Sequence, residues 1–172
     1  SNPARRTKLY SNFFQKAKSL YSGLAFWNDL KQFIERDEYR LILRVVVVDS
    51  SYNARRDIDR KVKWVEHDFE LVGEANNGEE ALALLPHVSP HVIFTEIRMP
   101  KMDGITFIET AKKRWPDIKY VIVSNYDNFD YLRQAMKVGA YDYILKPVKV
   151  DEINQVLLRA KIEIETGVKK FF

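Results

Sequence analysis

The 172-residue chain is 46% hydrophobic and 30% charged, which suits one folded domain with a full core plus an appendage and excludes a disordered chain. It has no cysteine, so disulfides, thiolate zinc sites and a Cys nucleophile are excluded. The net charge of +4 is uneven: residues 1–44 carry nine basic and four acidic side chains, and residues 45–172 carry nineteen and twenty, so the basic balance belongs to the N-terminal arm. The longest apolar run, around Val45–Val48, is far short of the roughly 18 residues a membrane-spanning helix needs. With no span and no secretion signal in the first 30 residues, a cytoplasmic location is expected. The chain begins with Ser-Asn, which reads as a fragment or a tag remnant.

Residues 3–22 have a helical pattern. Asn2 suits a cap, Pro3 suits the first helical position, and Leu9, Phe13, Ala17, Leu20, Tyr21 and Leu24 share one face. A second short helix is expected over Asn28–Arg36, after which Asp37-Glu38 breaks the pattern. The large apolar groups of this arm, Phe26, Trp27, Leu30 and Phe33 among them, are too many for a free solvated helix. The arm is expected to pack on protein, leaving Arg5 to Lys18 exposed to acidic partners or anionic lipid.

From Leu41 the pattern changes. Apolar, β-branched runs at Leu41–Val48, Phe69–Ala75, His91–Thr95, Lys119–Ser124 and Tyr141–Leu145 alternate with helical patterns near 52–66, 78–85, 104–114, 127–138 and 151–165. Runs such as VVVV show no polar alternation, as expected of strands buried on both faces. Strand and helix alternating five times predicts a parallel sheet between two helical layers. His87 and His91 are four apart, but Pro86 and Pro90 break any helix that would align them on a metal.

In an open parallel sheet, ligands sit beyond the carboxyl ends of the strands. Those ends carry Asp49-Ser50, Glu96, Ser124 and Lys146. Carboxylates suit a hard cation such as Mg²⁺, and a hydroxyl with a lysine suits anionic oxygens. No GxGxxG, Walker, GxSxG or HExxH pattern is present, and no enzymatic activity is expected.

The stretches EIRMPKMDGITFI (Glu96–Ile108) and VSNYDNFDYLRQAMKVGAYDYILKPV (Val123–Val148) resemble the receiver domain of bacterial response regulators, most similar in wording to those with an AraC-type DNA-binding output. The resemblance covers about residues 43–165. It implies a flavodoxin-like, doubly wound α/β fold with a five-stranded parallel sheet in the order 2-1-3-4-5, here with an N-terminal helical extension. The division expected is 1–40 extension, 41–166 receiver and 167–172 tail.

In that family an aspartate ending strand three accepts a phosphoryl group and two acids after strand one bind Mg²⁺. Carried over, Asp49 matches the first acid, Ser124 and Tyr143 the switch pair, Lys146 the lysine before a typically cis proline, and Gly104 and Gly139 structural glycines. Two positions depart from the pattern: Glu96 stands at the acceptor position and Ser50 at the second acid. The extra methylene moves the carboxylate by about 1.5 Å, and misplacement on that scale costs about a hundredfold in a positioned reaction. Losing one carboxylate weakens a Mg²⁺ site made of Asp49 and Glu96.

The expected function is a phosphorylation-independent or phosphomimetic two-component receiver, with Glu96 within hydrogen-bond reach of Ser124 and Tyr143 turned inward. It would control a DNA-binding output through dimerisation or output-domain contacts, with a histidine kinase as a further candidate partner. A still phosphorylatable, Mg²⁺-dependent receiver and a flavodoxin-like small-molecule binder stand as alternatives. No helix-turn-helix follows residue 165, so direct nucleic-acid binding by this chain is not expected.

Overall fold

The structure, a computed structural model, describes residues 41–166. The helices expected over 3–22 and 28–36, the segment 1–40 and the tail 167–172 lie outside the described residues. Residues 42–162 form one compact unit.

Its centre is a parallel sheet of β1 (Leu43–Val48), β2 (Phe69–Ala75), β3 (Val92–Thr95), β4 (Lys119–Ser124) and β5 (Asp142–Leu145), in the order β2-β1-β3-β4-β5. The apolar runs explain the centre of the sheet: all four β3 residues and Val45 to Val48 of β1 are buried. The pairing of β1 with β2 slips between Val45 and Val46, where the partner moves from Leu71 to Gly73 and Val72 is left unpaired. Val72 packs against the core instead.

The helices are α1 (Tyr52–Lys61), α2 (Trp64–His67), α3 (Gly78–Val88), α4 (Gly104–Lys112), α5 (Phe129–Lys137) and α6 (Val150–Thr166). Ser51, Asn77, Asp103 and Asn128 cap α1, α3, α4 and α5, each side chain accepting a backbone N–H of the first turn. On one face of the sheet Val46, Val48, Ile93, Tyr120 and Ile122 meet Leu85, Phe107, Ile108 and Ala135 of α3, α4 and α5. The alternate strand residues, Val45, Val47, Phe94 and Val121, point to the other face, where α1 and α6 bring the buried Ile58, Ile153 and Leu157.

The single helix expected near 52–66 is two. The chain is extended at Val62, and the groups freed there are taken by Asn154 of α6. Its Oδ1 accepts from Lys63 N (2.8 Å), and its Nδ2 donates to the carbonyls of Lys61 (2.8 Å) and Val150 (2.7 Å). A buried amide thus replaces the helical hydrogen bonds the break gives up. The helix expected over 78–85 continues through Pro86 to Val88, so Pro86 does not interrupt it. His87 lies in its last turn, while His91 accepts a hydrogen bond from Arg44 N at Nδ1 (2.9 Å).

Gly104 ties the fold to the strand rim. Its N–H donates to Ile97 O (2.7 Å), and a Cβ placed on it would lie 2.0 Å from the carbonyl oxygen of Glu96. Gly104→Ala is therefore expected to destabilise the protein by about 1–3 kcal/mol or more, because backbone and not a flexible side chain must yield. Urea unfolding checks this; an unchanged midpoint would mean that the 96–104 loop moves freely.

Candidate functional site

The order of strands reverses between β1 and β3, and the site forms beyond their carboxyl ends. Asp49 follows β1, Glu96 follows β3 and Lys146 follows β5, so three strands deliver one charged group each. Lys146 Nζ lies 2.7 Å from Asp49 Oδ2 and 2.9 Å from Glu96 Oε2. Both carboxylates are buried, at 4% and 6% exposure. The Lys146–Pro147 bond is cis, as the family resemblance implies.

The remaining carboxylate oxygens are also used. Asp49 Oδ1 accepts from Ser51 N (2.8 Å), and Glu96 Oε1 accepts from Ile97 N (2.6 Å). The longer Glu96 side chain thus folds back on its own backbone with one oxygen and reaches Lys146 with the other. The expected hydrogen bond between Glu96 and Ser124 is absent among the described residues. Ser124 is fully buried, and its Oγ accepts from Tyr126 N (3.3 Å). Glu96 is instead committed to Ile97 N and Lys146 Nζ, and the Ser124 hydroxyl bonds within its own loop.

Tyr143 is half-buried against the core, as expected of an inward ring, and its hydroxyl donates to Tyr126 O. Burial raises the pKa of that hydroxyl, a hydrogen bond with the Ser124 side chain opposes it, and the nearby Glu96 charge raises it further, with a net upward shift. Ser50 is exposed.

Several participants carry no signal in the sequence reading. Arg55 of α1 donates through Nη1 to Asp49 O (2.6 Å) and Asn76 Oδ1 (3.0 Å), and its Nε pairs with Glu74 (3.2 Å). Ile97 and Ser51 act through backbone N–H groups, which no residue type announces. Tyr126 was visible only as the second residue after Ser124 in the SNY triplet.

A divalent cation wants several oxygen ligands around one point. Among the described residues no three acidic or histidine groups come together to hold a metal ion. The carboxylates of Asp49 and Glu96 converge on an ammonium, and Ser50 offers a hydroxyl where a third carboxylate would serve. The residues present do not fit a tightly held Mg²⁺.

A family model described as the response regulator receiver domain matches residues 45–158. The Bacillus subtilis transcriptional regulatory protein YesN is 34% identical over 92 residues, which make up 54% of this chain and 25% of that protein. The REC domain of AraT, a response regulator from Geobacillus stearothermophilus, superposes with a TM-score of 0.69 at 31% identity, over 74% of this chain and 98% of that one. A two component transcriptional regulator AraC from Clostridium phytofermentans gives a TM-score of 0.62 at 28% identity, over 73% and 97% of the two chains. The chain spans only 25% to 47% of the length of the first curated relatives it matches.

Burial pulls the Lys146 pKa down, but the hydrogen bonds and charges of Asp49 and Glu96 outweigh it, so the ammonium titrates above its ordinary value. A pKa raised on folding stabilises the fold fully below the unfolded value of about 10.4 and less as pH climbs through the folded value. Unfolding free energy is thus expected to hold up to about pH 10 and then fall. Lys146→Met is expected to lose this component of the fall. It should also be about 3–5 kcal/mol less stable at pH 7, because two buried carboxylates are left facing each other. Urea titrations of both proteins between pH 7 and 11.5 check the sign; identical alkaline profiles would assign the fall to other groups.

Proposed function

The chain belongs to the response regulator receiver family, and from that premise we propose a two-component receiver whose signalling state does not depend on phosphorylation. The observation that carries this reading is the position of Glu96, a permanent carboxylate at the end of β3 held 2.9 Å from Lys146 Nζ. In the family reading this lysine meets the phosphoryl group, and here it already has its anion. The charge is −1 against about −2 for a phosphoryl group, so the imitation is partial. It biases a two-state equilibrium only by its differential contact with the two states.

Several features support the same reading. Ser50 removes one hard ligand, which leaves Asp49 and Glu96 as a weak Mg²⁺ site at best. The Glu96 carboxylate is folded back onto Ile97 N and is not presented to an incoming phosphodonor. The half-buried Tyr143 and the buried Ser124 are assigned as the switch pair, joined here through the backbone of Tyr126.

In this reading the chain is a signalling and interaction module and not an enzyme. Residues 41–166 are the receiver and residues 1–40 a separate extension. Its partners are proteins: a second copy, an output domain, or a histidine kinase that recognises the fold. Since the relatives named above are transcriptional regulators, the controlled output is assigned as DNA binding, reached by protein contacts and not by this chain touching nucleic acid.

Incubation of the protein with acetyl phosphate and Mg²⁺, read by intact mass, tests the proposal. The unmodified chain is expected to stay unlabelled. The double substitution Glu96→Asp with Ser50→Asp is expected to restore Mg²⁺ binding and a labile phosphoryl group. Robust labelling of the unmodified chain would overturn the reading in favour of a phosphorylatable receiver using Glu96.

A further inference from the structure

Two loops flank the site, and they touch each other through side chains that the charged cluster does not use. Arg98 lies two residues after Glu96, in the loop between β3 and α4. Tyr126 lies two residues after Ser124, in the loop between β4 and α5. The Arg98 guanidinium sits 5.1 Å from the centroid of the Tyr126 ring, and its Nη1 donates to the Tyr126 hydroxyl at 3.4 Å. Tyr131 of α5 joins the contact: its ring centroid is 5.3 Å from that of Tyr126 at an interplanar angle of 53°, and its side chain also meets the Arg98 guanidinium.

The backbone of Tyr126 is held as well. Its N–H donates to Ser124 Oγ, and its carbonyl accepts from the Tyr143 hydroxyl. One residue is thus gripped at its ring by the β3–α4 loop, at its amide by the end of β4 and at its carbonyl by β5. Two residues later Asn128 caps α5, its Oδ1 accepting from Tyr131 N (3.0 Å). The posture of residues 125–128 therefore sets where α5 starts. The outer face of α5 carries Phe129, Leu132 and Met136, which are 74%, 38% and 80% exposed.

We propose that Arg98 and Tyr126 form a latch that carries the position of the Glu96 loop to the start of α5, with Tyr143 as the anchor on the far side. Arg98 acts as a positioning residue. A planar, permanently charged guanidinium over an aromatic face is directional and does not titrate in the physiological range. A loop clamped in this way opens less often than a free one, and the segment that follows inherits its order. A shift of Glu96 that carries Arg98 off the ring releases Tyr126, and with it the apolar face of α5. The latch does not rest on whether Glu96 accepts a phosphoryl group, since none of its contacts involves a Glu96 oxygen.

Amide hydrogen exchange of the full chain, read by mass spectrometry without any phosphodonor, tests the latch. Arg98→Ala is expected to speed exchange of residues 125–131 by about two- to fivefold, the loss of one exposed cation–π contact. Arg98→Lys, which keeps a cation over the ring, is expected to fall between that variant and the unmodified chain. Tyr143→Phe is expected to speed the same segment, because it frees the same residue from its other end. Strands β1 and β3 are expected to exchange as before in all three variants. The latch is overturned if Arg98→Ala leaves residues 125–131 unchanged, or if exchange rises equally across the two strands.

Discussion

A lysine ammonium held between two buried carboxylates fixes the geometry on which this site depends. Asp49, Glu96 and Lys146 come from the ends of three different strands, and no two of them are close in sequence. Two carboxylates out of water and near one another repel strongly; an ammonium at 2.7 and 2.9 Å turns that repulsion into a joint. The joint ties β5 to β1 and β3 across the intervening β4, so the rim is braced crosswise as well as by the strand ladders. Because this cluster is buried more deeply, dissolved salt screens it less than it screens the half-buried pairs of α1.

One methylene decides what the Glu96 carboxylate does. A shorter side chain at the end of a strand projects its oxygens outward. The glutamate has enough length to curl, so one oxygen satisfies the N–H of Ile97 and the other meets Lys146. The Ser124 hydroxyl accepts instead from the N–H of Tyr126. The lysine side of the pocket is thus engaged by the Glu96 carboxylate, and the Ser124 hydroxyl is bonded elsewhere.

The parallel sheet was legible because unalternating runs such as Val45–Val48 admit little besides a strand buried on both faces, and five apolar runs separated by helical stretches leave few topologies; the strand order came only from the resemblance to the receiver family. The carboxyl-end rule then placed Asp49, Glu96, Ser124 and Lys146 on one rim before any coordinates. What stayed hidden were features made by distant or main-chain groups. The break after Lys61 has an ordinary helical sequence and exists because a buried amide 93 residues away accommodates it. The helix runs through Pro86, beyond the expected 78–85, because a proline near a helix end gives up one hydrogen bond and not the turn. The curl of Glu96 depends on an amide that every residue carries, and the grip on Tyr126 on a guanidinium from another loop.

The Asn154 bridge has a consequence in time. A ribosome delivers the chain from its amino end, and the carbonyl of Lys61 and the amide of Lys63 precede their partner by 93 and 91 positions. At about 5–20 residues per second, that interval lasts on the order of 5–20 s. During it all five strands, the last ending at Leu145, leave the ribosome ahead of Asn154, and the kink between α1 and α2 has only water to satisfy it. Closure waits for the last helix to emerge. A polypeptide released early, by a premature stop or a cleaved message, would therefore display an unfinished seam at its front third, the kind of surface that chaperones retain and proteases enter.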